Sequence, residues 1–131
     1  MEFDKETPIL VHSFHYDLNE EPKVKNDVNV TFRKAAKQNE DGTTDEGRNG
    51  SYFEVAVLFD VSPAPGDFTV SGRISQIVNL HDYFGDGQDL DKDDYALLSR
   101  PLVEYIETLT YEVTQVTLDQ PVNLNFKANF D

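Results

Sequence analysis

The sequence predicts an α+β domain, on three observations. Apolar side chains recur at every second position from Val28 to Phe32 and from Phe53 to Val61, and Phe68, Val70 and Ile74 alternate again after a turn, the period of half-buried strands. From Leu102 to Val116 they recur at spacings of 4, 3, 4 and 3, the period of a single helical stripe. Strands come first and the helix last, an order that favours α+β over alternating βαβ. At 131 residues, one domain spanning 1–131 is expected.

Thr7 to Tyr16 (TPILVHSFHY) is rich in β-branched and aromatic residues and reads as a first strand, stopped by the acidic stretch that ends at Pro22. Val28, Val30 and Phe32 alternate with Asn29, Thr31 and Arg33, a second strand with one apolar face that fades into KAAKQ. Residues 39–50 carry four acids, three glycines and no apolar side chain, so a mobile loop is expected there. Phe53, Val55, Val57, Phe59 and Val61 then share one face of the clearest strand. The turn Pro63–Asp67 reverses the chain, and Phe68, Val70, Gly72 and Ile74 return as a fourth strand. Ile77 to Phe84 fits strand or turn equally well, and Gly85 to Asp89 is turn-like. Asp91, Asp93 and Asp94 suit the positive end of a helix dipole. Pro101 is expected to divide the helical stretch beyond them into a short helix and a long one, with Ser99 as a candidate cap of the second. After Pro121, Val122, Leu124 and Phe126 alternate in an extended strap. The sum is a four-stranded antiparallel sheet with a short and a long helix on one face.

Eleven basic residues face 25 acidic ones, for a net charge of −14. That surplus opposes binding to nucleic-acid phosphates or anionic membranes, both of which attract Lys and Arg. Without cysteine there is no disulfide, thiolate nucleophile or Cys-ligated metal, which suits a reducing compartment. The first twenty residues contain only a short apolar run and read as neither signal peptide nor membrane span, so a cytoplasmic location is expected.

No catalytic motif emerges. His12 and His15 form an HxxH, but three positions apart on a regular strand they would point to opposite faces and could not share a metal. His81 beside Asp82 has no nucleophile to activate. Asp86, Asp89, Asp91, Asp93 and Asp94 miss the calcium-loop pattern: counting from Asp89, position six is Asp94 and position twelve Arg100. A solvated helix start explains them better. Neither an enzyme nor a cofactor or metal site is expected.

The end of the sequence resembles a known family. Pro101-Leu102 and Ile106, then Leu118, then Pro121-Val122-Asn123-Leu124-Asn125-Phe126 with Ala128 and Phe130, are similar to the closing motif of the SecB protein-export chaperones. Asp17 to Pro22 and Val28-Asn29-Val30 resemble earlier family words in the same order, so the likeness runs from about residue 8 to 130. The resemblance implies a SecB-like sheet-and-helix domain that assembles into homodimers or homotetramers through edge-strand and helix contacts. It also implies an ATP-independent chaperone that holds unfolded polypeptide clients in an apolar groove. By position, that peptide-binding groove would draw on Val28, Val30, Phe32, Leu102, Ile106, Leu109, Leu124 and Phe126. The plain alternative for each is intramolecular core. One family feature departs: the acidic sheet position used to engage the translocation motor falls in Ser71-Gly72-Arg73, which weakens the motor as a partner. A second reading keeps the fold in a non-catalytic adaptor that binds one specific folded partner.

Overall fold

The computed structural model describes residues 2–35, 37–38, 44–45, 50–85, 87–118, 122 and 129–130. In chain order the elements are β1 (Phe3–Lys5), β2 (Leu10–Leu18), β3 (Lys25–Ala35), β4 (Lys37–Gln38), β5 (Thr44–Asp45), β6 (Tyr52–Ser62), β7 (Phe68–Leu80), α1 (Lys92–Thr117) and β8 (Asn129–Phe130). The main sheet has five positions. β1 and β2 share one edge of β7, followed by β7, β6, β3 and β8. All pairings are antiparallel except the parallel contact of β8 with β3.

The sheet is therefore wider than the four strands predicted, for local reasons. β7 continues through Ile77 to Leu80, where the sequence left strand and turn open, because β1 and β6 both pair with that stretch. The first strand begins at Leu10 rather than Thr7 and runs on to Leu18. Thr7 instead bridges β1 to β2: its hydroxyl accepts the Ile77 N–H at 3.1 Å and its carbonyl accepts the Gln76 amide at 3.1 Å, next to Pro8, which has no N–H to give a ladder. Of residues 39–50, where a loop was expected, Thr44–Asp45 pairs with Lys37–Gln38; positions 39–43 and 46–49 lie outside the described residues.

Register puts the alternating residues on one face. Val28, Val30 and Phe32 lie opposite Phe59, Val57 and Val55, and Val57, Val61 and Phe53 lie opposite Ile74, Val70 and Val78. α1 covers this face, packing on β6 and β7, so the core is the layer between one sheet face and one helix. Asp91 caps α1: its carboxylate accepts the Asp94 N–H at 2.9 Å while the Asp94 carboxylate accepts the Asp91 N–H, a reciprocal capping box. The acids that suggested a helix start thus form one.

Two helices were expected, and one is found, with Pro101 inside it. The missing N–H of Pro101 forgoes one backbone bond. Burial of Leu98 before it and of Leu102 and Ile106 after it ties both segments to the same core and holds them in one helix. Ser99 is buried and donates to the Ala96 carbonyl rather than capping a second helix.

Candidate functional site

The residues predicted for the groove separate into three groups. Val28, Val30, Leu102 and Ile106 are fully buried in a single core cluster with Val55, Val57, Ile74 and Leu98. Phe32 and Leu109 are half-buried. Leu124 and Phe126 lie outside the described residues. Sheet and helix thus bring four of the eight together as packed interior, and any occupant would first meet the half-covered rim beside them.

On the β3 side that rim is aromatic. The Phe32 ring lies 4.6 Å from that of Tyr95, tilted by 37°, a favourable offset contact. The Tyr95 hydroxyl donates to the Gly87 carbonyl at 2.6 Å. The Tyr83 hydroxyl accepts the Gly87 N–H at 2.8 Å and donates to the Asp89 carboxylate. Two tyrosines therefore hold Gly87 and the described residues beside it against the core, where the Tyr83 and Phe53 rings lie 5.9 Å apart. Gly87 has φ +92, and a Cβ there would approach the Phe53 ring to 3.0 Å, so this close packing requires glycine. Phe84, next to Tyr83, is 61% exposed.

Tyr95 was not among the predicted residues, although the signal was present. It precedes Leu98 by three positions and Leu102 by seven, the spacing of one helical stripe. A helix divided at Pro101 separated it from that stripe. Tyr83 left no periodic trace, because it lies in a turn.

On the β2 side, Phe14 stands 5.9 Å from Phe59, and Tyr16 stacks 5.7 Å from Phe68. Beyond them a cavity of about 190 Å³ opens between the β6–β7 turn (Pro63, Ala64, Pro65, Asp67) and Phe68, Leu118 and Val122. The buried face of α1 turns polar toward its C-terminal end, at Thr110 and Thr114. The Thr110 hydroxyl donates to the Ile106 carbonyl at 2.9 Å. That of Thr114 donates to the Thr110 carbonyl at 2.7 Å and accepts the Val122 N–H at 2.8 Å, anchoring Val122 to the helix.

The uncovered face of the sheet carries paired charge. Glu54 receives Arg33 at 3.0 Å and Arg73 at 3.3 Å. Lys25 lies 2.5 Å from Asp60 and 3.7 Å from Asp27, and the hydrogen bond to Asp60 raises its pKa above the usual lysine value. On α1, burial first and the neighbouring Glu104 second raise the pKa of the Glu107 carboxyl.

The histidines behave differently from a regular strand. A bulge between Val11 and Ser13 breaks the alternation, so that His12 reaches Ser75 at 2.6 Å and lies on the same outer face as His15, which sits opposite Ser71. The opposite-face argument therefore fails at the bulge. Among the described residues no cluster of three or more His, Asp or Glu side chains is arranged to hold a metal. His81 pairs with Asp4 at 2.8 Å and Glu2 at 3.7 Å rather than with Asp82. No helix among the described residues is long and apolar enough to cross a membrane.

With this geometry in place, comparisons with known proteins locate the fold. A protein of unknown function from Streptococcus agalactiae is 29% identical, with 96% of this chain and 98% of that chain covered and a TM-score of 0.79. A SecB-like chaperone of Mycobacterium tuberculosis, solved in complex with a ChAD peptide from the HigA1 antitoxin, is 15% identical with a TM-score of 0.50, covering 96% of this chain and 90% of that chain. The fold is SecB-like: an antiparallel sheet with one helix packed on it. No curated protein sequence matches significantly. A family profile matches residues 1–126, and the chain belongs to that family, described as a protein of unknown function, DUF1149.

Proposed function

We propose that this protein is a non-catalytic, ATP-independent chaperone that binds extended, non-native polypeptide along the β3 side of its inner sheet face. The observation that carries the reading is the half-covered aromatic pair of Phe32 and Tyr95 at the rim of an apolar sheet-and-helix layer, in a fold shared with a chaperone solved with a bound peptide. Apolar pockets together with a strand edge recognise extended chains with little demand on sequence. A strongly acidic surface, −14 overall, keeps a complex with an unfolded chain in solution. The sheet offers a cationic translocation motor little unpaired acid at these positions, because Glu54 is neutralised by two arginines and Asp60 by Lys25.

The test is aggregation of chemically denatured citrate synthase diluted into buffer with a several-fold molar excess of the protein. Suppressed light scattering without nucleotide is expected; unchanged scattering together with no binding to the denatured chain sinks the proposal. Phe32→Ala separates site from core. Phe32 is only half-buried, so the variant is expected to lose suppression several-fold while staying folded. Leu102→Ala, by contrast, is expected to cost roughly 2–5 kcal/mol of stability.

One observation favours the second reading, an adaptor for a single folded partner. Val28, Val30, Leu102 and Ile106 are filled core, leaving a narrow rim in place of an open trough. A pull-down yielding one stoichiometric partner in place of a broad set would favour the adaptor.

A further inference from the structure

β3 carries an occupant supplied by the chain itself. Along one side it pairs with β6 over all eleven of its residues. Along the other, Asn29 and Val30 pair in parallel with Asn129 and Phe130. This second contact is out of keeping with the rest of the sheet. It is parallel where every other main-sheet pairing is antiparallel, and two residues long where strands ordinarily run to at least three. β3 is already fixed by β6, so the fold does not depend on it. Its position is central, since Asn29 and Val30 lie between Val28 and Phe32, and a strand adding to this edge needs the same backbone groups.

From this geometry we infer that Asn129–Phe130 is a tethered competitor for the β3 edge, which an extended polypeptide must displace. The inference rests on the chaperone reading and specifies how that site is regulated. The Val122 N–H is held by Thr114, and Asn129 follows Val122 by seven residues. So short a tether keeps the competing segment at high effective concentration beside β3. A client then binds with its intrinsic affinity multiplied by the fraction of molecules whose edge is free. The two-residue pairing is short enough to release, unlike the ladder with β6.

The test is the full chain carrying Asn129→Pro and Phe130→Pro together, which removes both N–H groups whichever of them points at β3. Asn129→Ala, which keeps the backbone donor, is the control. Binding is read by fluorescence anisotropy with fluorescein-labelled, reduced and carboxyamidomethylated lysozyme, a basic unfolded chain, and pairing by hydrogen exchange of the β3 amides. In the double-proline variant, exchange at residues 29–31 is expected to quicken and the Kd to fall about fivefold, the factor that one net backbone hydrogen bond supplies. Asn129→Ala is expected to bind as the parent does. An unchanged or weaker Kd in the double variant, or unchanged exchange at residues 29–31, overturns the competitor while leaving the chaperone reading standing. Absence of binding to the parent and both variants refutes the chaperone reading, and the competitor falls with it.

Discussion

Thr114 shows how one side chain can serve two purposes. Its hydroxyl donates to the Thr110 carbonyl and accepts the Val122 N–H while remaining fully buried. Thr114→Val keeps the shape, removes both bonds and strands the Val122 N–H. A loss of about 1–3 kcal/mol is expected by urea denaturation, the cost of one unsatisfied buried donor. The same residue explains a failure of sequence reading. The predicted stripe ran through Leu109, Val113 and Val116, yet the buried line is Leu98, Leu102, Ile106, Thr110 and Thr114, every fourth residue, and Val116 is 85% exposed. Threonines read as surface residues until their hydroxyls are seen bonding back to carbonyls one turn earlier. Val28, Val30, Leu102 and Ile106 were legible because period and hydrophobicity agreed. Tyr83 and Gly87 were not, because their roles come from hydrogen bonds within a turn, which periodicity does not encode.

Among the elements, β1 is the most conditional. Its three residues pair with the end of β7, and the ion pairs from His81 to Asp4 and Glu2 pin it there. The hydrogen bond to Asp4, reinforced by the charges of Asp4 and Glu2, raises the His81 pKa above its ordinary 6.5. With a folded value above the unfolded one, the stabilisation is fully present below about pH 6.5 and fades as pH climbs through the raised folded value. Hydrogen exchange at the His81 amide, which donates to the Glu2 carbonyl at 3.0 Å, is therefore expected to accelerate from pH 6 to pH 8 beyond the intrinsic base-catalysed rate. In His81→Gln that excess should vanish; an excess that persists in the variant would assign the effect elsewhere. α1 poses the complementary question of what Pro101 costs within a helix kept whole by packing. Pro101→Ala restores a backbone donor to the Leu97 carbonyl, and Leu97 is exposed, so nothing need repack on that side. A gain of about 1–2 kcal/mol in denaturant stability is expected, whereas a true break at residue 101 would give none. The sequence could not settle this, because proline propensity is local and the burial of Leu98 and Leu102 that overrides it is tertiary.

For the whole molecule, the decisive quantity is where the charge of −14 lies. The uncovered sheet face carries Lys25, Arg33 and Arg73 against Asp4, Asp17, Asp27, Glu54 and Asp60, so three positive charges offset most of five negative ones and this face is close to neutral. The surplus is carried by the turns, the helix and the remaining segments. A near-neutral sheet within an acidic molecule sets the terms on which copies could associate. β2 pairs with β7 on one side only among the described strands, and Leu10, Val11 and Leu18 along it are exposed, a free edge of the kind that recruits a second strand. Self-association through that edge gains backbone pairing but must bring two strongly acidic bodies together. Repulsion of this range is screened over roughly 10 Å at 0.1 M salt and roughly 30 Å at 0.01 M. Sedimentation equilibrium at fixed protein concentration is therefore expected to show a lower average mass in 0.01 M than in 0.3 M NaCl. Val11→Pro, on the free edge, should hold the mass near 14.9 kDa at both salts. A mass that ignores salt in the parent chain would mean that the acidic surface does not govern assembly, and one that ignores Val11→Pro would move the interface away from β2.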